Sequence, residues 1–472
     1  MHSHSTRGRR VGILIGLCAL YACIHLDRQI LGILAQSVKA DLQLSDRQLG
    51  ALTGSAFSIV YAVLGLHFGR LADRTSRLRL IRTGAWVWSL SSIAAAFAPG
   101  YGVLVATRAG VAAGEAIATA AAVSLMSEVA GERRRAAIAS VFFSAAFFGA
   151  GVAAIGGGAM VAAFRGMFGD GAWRAVMAAA GLPGIVGALY LSRFQWEGAS
   201  ERHESGHRQQ GSDRRITAAL LVTACVAVVV QVRWPPALAV PLALALGLGI
   251  AAVWVAQMRR IDPDAYEVTF GEARFRRMLV GFAALLFVDF AAGFWLIPLA
   301  QRRYGLSPGT VGAQLGALLI GGGIAGALLG GWIADRWQTR SRAGHVWTAL
   351  IAVILEVAAI LSALHQPQFS GYVLAFGAMC LASGAWTGVA AAIAFDIVPP
   401  AHRGTGAAGY FLVTTLLGPG LGPFAVGVVS DMMGSTRNAL GLATAVAAIA
   451  VLSLVRLGMT IAPSRLPRTA VG

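Results

Sequence analysis

Charge is scarce in this chain. Of its 472 residues only 12% are Asp, Glu, Lys or Arg, against about a quarter in an ordinary soluble domain. Lysine is nearly absent: Lys39 is the single one, and every other strong base is arginine. That excludes a phosphate-loop lysine and leaves little room for Schiff-base chemistry. Cysteine is sparse too. Cys18, Cys23, Cys225 and Cys380 each lie inside an apolar segment, and no C-x-x-C spacing occurs. They read as small packing residues rather than as a disulfide or zinc framework. No metal and no cofactor are expected.

What is abundant is apolar. Hydrophobic residues make up 57% of the chain, and the mean hydropathy is +0.69. Long apolar runs alternate with short arginine-rich stretches. About 20 such residues cross a bilayer as a helix, which satisfies its own backbone hydrogen bonds where water cannot. The formal net charge of +17 would suit a nucleic-acid partner, but the arginines sit at the ends of apolar segments, so none is expected. Arg7, Arg9 and Arg10 precede the first run as in a signal peptide. The run is too long for one and many more follow, so it reads as an uncleaved first helix.

The predicted spans are 11–37, 49–69, 80–98, 103–127, 137–163 and 175–192, then 278–300, 311–333, 345–363, 371–395, 404–430 and 437–457. Between them, 217–232 and 237–257 are joined by Arg233-Trp234-Pro235-Pro236 and read as a helical hairpin, for fourteen spans in all. With the N-terminus inside, inner segments carry 28 Lys and Arg and outer segments eight, as the positive-inside rule requires. One extra span would put Arg336, Arg340 and Arg342 outside, so the insert crosses twice or not at all. The expected setting is a bacterial inner membrane with both termini cytoplasmic.

The chain also repeats itself. Gly65 through Arg74 matches Ala327 through Arg336, and Glu128 through Arg135 matches Asp396 through Arg403. The fold class is therefore all-α and polytopic: two six-helix bundles in parallel orientation, over 1–193 and 278–472, with 194–277 as linker and hairpin. Gly69-Arg70-Leu71-Ala72-Asp73-Arg74-Thr75-Ser76-Arg77 resembles the signature loop of the major facilitator superfamily, departing from it at Ser76 and Leu78. Three further segments, Tyr21 to Leu31, Leu44 to Gly50 and Arg108 to Glu115, resemble the bacterial spinster-like family. The resemblance implies a carrier of amphipathic lipid-like or organic anionic small molecules, working by alternating access between two halves.

Ionisable residues in mid-span cost roughly 2.5–3.5 kcal/mol on insertion scales and survive when paired. Asp27 and Arg28 lie mid-span in the first helix, and Arg108 and Glu115 two turns apart in the fourth. Their formal charges cancel. They are the expected proton-coupling and substrate-binding group, Asp27 or Glu115 taking a proton when its arginine turns to an anion. The alternative is a salt-bridge network that only fixes packing. His25 either tunes this group or lines its cavity. Asp289 and Glu356 are second-half intramembrane acids of lesser weight, with Trp295, Trp386 and Phe395 as candidate apolar wall.

Gly69, Asp73, Arg74 and Arg77 form the expected inner-face gating loop. Asp73 should meet the positive N-terminal dipole of the eleventh helix, and Asp335 and Arg336 should do the same on the other half. Arg77 itself, like Arg79, reads more readily as a solvated, positive-inside turn residue. Glycines four apart, at Gly65/Gly69, Gly110/Gly114, Gly322/Gly326/Gly330 and Gly418/Gly422, suit close helix packing. His203-Glu204-Ser205-Gly206-His207 fits the zinc-protease pattern HExxH, but it falls in a polar stretch without helical periodicity, so an enzyme is not expected. Multidrug efflux by antiport is the rival transport reading, and a non-transporting sensor a third. The expected partners are a small amphiphile or anion, with the proton as coupling ion, and membrane lipids; no sequence feature demands a protein partner.

Overall fold

The computed structural model describes residues 2–72, 75–130, 135–196, 226, 236–399 and 402–462. Every regular element among them is helical. The first set comprises α1 (His2–Leu42), α2 (Asp46–Thr53), α3 (Ser55–Ala72), α4 (Arg77–Ala95), α5 (Tyr101–Ala130), α6 (Arg135–Phe168) and α7 (Ala172–Leu191). After α8 (Pro236–Ile261) comes the second set: α9 (Ala273–Tyr304), α10 (Pro308–Gln338), α11 (Gly344–His365), α12 (Phe369–Ile397), α13 (Arg403–Leu417), α14 (Gly422–Met433), α15 (Thr436–Ala443) and α16 (Ala447–Ile461). Among the described residues, ten helical stretches are long and apolar enough to cross a membrane; Val141–Leu191 runs through both α6 and α7. The first arm of the expected hairpin apart from Val226, the HExxH stretch and Asp73 and Arg74 lie outside the described residues.

Local sequence sets the helix ends. Ser45 caps α2 and Gln48 returns the bond, a reciprocal capping box. Ser307 caps α10 with Pro308 in its first turn. Gly305 and Gly434, at φ +62°, end α9 and α14 in the left-handed conformation that glycine tolerates best.

Two of the expected spans are broken. The run 49–69 divides into α2 and α3 at Gly54, and 404–430 divides into α13 and α14 at Gly418–Leu421. The breaks meet: a Cβ on Gly54 would lie 2.8 Å from the Gly420 carbonyl oxygen. Only glycine lets the two backbones cross so closely.

Contacts between the two sets concentrate toward the end where α1 finishes and α2 begins, here the distal end. There α2 packs on α14, α1 on α9, and the second half of α6 on the first half of α10. The glycines Gly151 and Gly158 of α6 face Gly316 and Pro308 of α10. Gly114 on α5 abuts Gly84 and Trp88 on α4, while Gly65 faces open space. Helix α8 places Ala251 and Trp254 against Ile59, Ala62 and Val63 of α3 and Leu412 and Leu416 of α13. It thus covers the seam between the two sets.

Candidate functional site

Neighbouring residues on α1 reach two different partners on α5. Arg108 Nη1 donates to Asp27 Oδ2 at 2.9 Å, and Arg28 Nε donates to Glu115 Oε2 at 2.7 Å. The four predicted charges therefore form two crossed ion pairs. Ser92 of α4 donates its hydroxyl to the other oxygen of Asp27. Phe57 of α3 lies under both guanidinium groups, 4.7 Å from Arg28 and 5.6 Å from Arg108, and Tyr61 lies 4.8 Å from Arg28.

The two pairs differ in access. Asp27 and Arg108 are sealed, with side chains 0% and 3% exposed. Arg28 is 25% exposed while its partner Glu115 is 0%. One arginine is thus partly accessible while the acid that holds it is buried. Glu115 Oε1 and Arg108 Nε have no protein partner among the described residues. Such orphans in a low-dielectric interior are costly, so this network is not fully satisfied by packing alone.

His25 joins the site's aromatic side rather than its charges: its ring meets Tyr21 edge-on at 4.8 Å, and Tyr21 stacks on Phe142 at 4.3 Å. Sequence reasoning missed Phe57, Tyr61, Ser92, Tyr21 and Phe142. One signal was present: Phe57 and Tyr61 lie one turn apart on a single helix face.

The acids Asp289 and Glu356 do not join this group. They lie in the second set instead, each held by α12, Asp289 by Ser383 and Glu356 by Trp386. The proposed apolar wall is not assembled either. Trp295 is fully buried at the distal end and donates to the Pro423 carbonyl, and Phe395 is 52% exposed with Arg403 over its ring.

The gating residues need correction as well. Arg77 is not a solvated turn residue; it forms an ion pair with Glu128 of α5. Asp335 is 85% exposed and its contact is His345 of its own set, at 3.5 Å. Arg336 is also exposed. Among the described residues neither bonds to the first set. The backbone of Gly69 lies within α3.

The tight closure is distal. Asp46, at the start of α2, is bridged by both terminal nitrogens of Arg302 at 2.6 and 2.7 Å and by Lys39 at 2.5 Å. Ser430 and Thr436 donate to it too. Asp431 of α14 accepts from the backbone N–H groups of Asp46 and Arg47 at 3.0 Å each. A carboxylate from one set thus caps a helix N-terminus of the other.

Residues 17–343 match the Major Facilitator Superfamily. The chain belongs to that superfamily. It is 26% identical over 448 residues to an MFS-type efflux pump of Mycolicibacterium smegmatis, covering 94% of this chain and 90% of that one. It is 31% identical over 201 residues to protein spinster homolog 1 of Homo sapiens, which is 42% of this chain and 37% of that one. A bacterial homolog of the human lysosomal transporter Spinster, in an inward-facing and unoccupied conformation, superposes with a TM-score of 0.72 at 20% identity, over 97% of this chain and 99% of that one. The superfamily and the likeness to spinster proteins expected from the sequence are thus borne out. So is the all-helical membrane fold.

Proposed function

We propose that this superfamily transporter is a proton-coupled carrier of an amphipathic or organic anionic small molecule, and that it works by alternating access. The observation that carries the reading is the Arg28–Glu115 pair. A partly exposed guanidinium is paired with a fully buried carboxylate. Protonating Glu115 neutralises it and frees Arg28 for an anion. Binding the anion turns Arg28 away, and the isolated carboxylate is then driven to take a proton by burial. Proton and substrate are linked through one arginine. Phe57 and Tyr61 add an apolar, π-rich surface beside the anion site, suited to a molecule with both a charged head and an apolar body.

The ion pairs and cap that join the sets at the distal end, taken with the expected positive-inside orientation, support an inward-facing reading. Alternation would then break the Asp46–Arg302 and Asp431 contacts and bring the other ends of the sets together. The likeness to an efflux pump over most of both chains supports a second reading, outward transport of drug-like molecules in exchange for protons.

The test is proton movement in proteoliposomes on adding lysolipids, organic anions or cationic drugs. Substrate-dependent flux in the wild type, lost in Glu115→Gln, is expected. Full flux in that variant would reduce the pair to a packing element, and response to cations alone would favour the efflux reading.

A further inference from the structure

The second set holds a carboxyl pair with no cation beside it. Asp289 on α9 accepts from Ser383 Oγ at 2.7 Å, and Glu356 on α11 accepts from Trp386 Nε1 at 2.7 Å. Ser383 and Trp386 lie three residues apart on α12, so the two carboxyl groups they hold are brought side by side. Glu356 is 0% exposed, and its Oε1 has no protein donor among the described residues. Among the described residues, no arginine, lysine or histidine bonds to either acid. The facing groups are Ser383, Trp386 and the Cys380 thiol on α12, with Tyr410 of α13 beyond the Phe282 ring. None of these is a cation.

This arrangement is the second-set counterpart of the site already described. The interval that separates Gly65 from Ala327 also separates Asp27 from Asp289. The interval that separates Glu128 from Asp396 also separates Glu115 from Ser383. Where the first set faces its acids with arginines, the second faces acid with acid.

Two ionised carboxylates only accept hydrogen bonds and repel each other. Two such groups held side by side in the membrane interior with no cation bonding either are relieved when one carries a proton, and the orphaned oxygen of Glu356 points to the missing hydrogen. We propose that Asp289 and Glu356 form a second proton-binding site, a single proton shared between them and exchanged through Asp289. Asp289 is partly exposed and Glu356 sealed, so the proton has one way in. Releasing it leaves two negative charges between α9 and α11 and loosens the link between those helices. The site is independent of the coupling role given to Glu115.

The test is infrared spectroscopy of the full chain in lipid nanodiscs at neutral pH. The expected result is a carbonyl stretch of a protonated carboxylic acid, shifted in D2O, lost in Glu356→Gln and retained in Glu115→Gln. In Glu356→Gln the amide oxygen still accepts from Trp386, so the helices stay tied and the fold survives. A pH titration of the same band in the wild type needs no variant, and the band should give way to carboxylate absorption in one step. Absence of any such band in the wild type, or its persistence in Glu356→Gln, would overturn the proposal. Carboxylate bands that move on exchanging sodium for potassium would overturn it in favour of an alkali-cation site. Proton flux lost in Glu115→Gln with this band intact would separate the two sites.

Discussion

Asp431 caps the helix that Asp46 begins, and the two residues belong to opposite sets of helices. The contact is the distal counterpart of the one expected for Asp73 at the other end. Capping of this kind contributes about 0.5–2 kcal/mol, enough to shift a two-state population several-fold. Asp431→Ala should therefore open the distal end. In a cysteine-free background with spin labels on the exposed positions Gln43 and Asn438, a longer distance component should grow in the variant. An unchanged distribution would deny the cap a role in closure.

Gly54 offers a steric route to the same state. A Cβ there would sit 2.8 Å from the Gly420 carbonyl and 3.2 Å from that of Pro419. Gly54→Leu should wedge α2/α3 from α13/α14 and lengthen the same label distance. A wild-type distribution would mean that the crossing yields without opening.

The Asp27–Arg108 pair should behave differently from Arg28–Glu115. Both of its side chains are sealed, so removing one partner leaves a buried charge uncompensated, at a cost of about 3–5 kcal/mol. Arg108→Met is expected to lower the unfolding temperature clearly, and adding Asp27→Leu to recover much of the loss. A double variant no more stable than the single would mean that the pair is not the relevant unit.

Phe57 should matter for binding more than for folding. Cation–π contact with two guanidinium groups contributes about 0.5–2 kcal/mol each. Phe57→Leu keeps apolar volume and removes the ring face. Transport affinity for the best anion found should weaken several-fold with little change in thermal stability. Equal loss of both would make the ring a core residue.

The architecture was legible in the sequence because a membrane forces it. Every backbone polar group must be bonded within its own segment, so long apolar runs can only be helices, and the repeat from Gly65 to Ala327 shows two sets of them. The four charges Asp27, Arg28, Arg108 and Glu115 were legible for the same reason, since uncompensated charges in such runs do not persist. Their pairing was not. Asp27 and Arg28 are adjacent, and only the rotation of α1 against α5 decides that the aspartate meets Arg108 and the arginine meets Glu115. The placement of Asp289 beside Glu356, and the distal cluster of Lys39, Asp46, Arg302 and Asp431, also brought together residues from separate helices with no common periodicity. Composition and hydropathy fix how each helix forms, because those forces act along the chain. Which end of the bundle is closed, and which acid faces an arginine rather than another acid, is set by helix packing between distant segments, and only the tertiary structure carries that information.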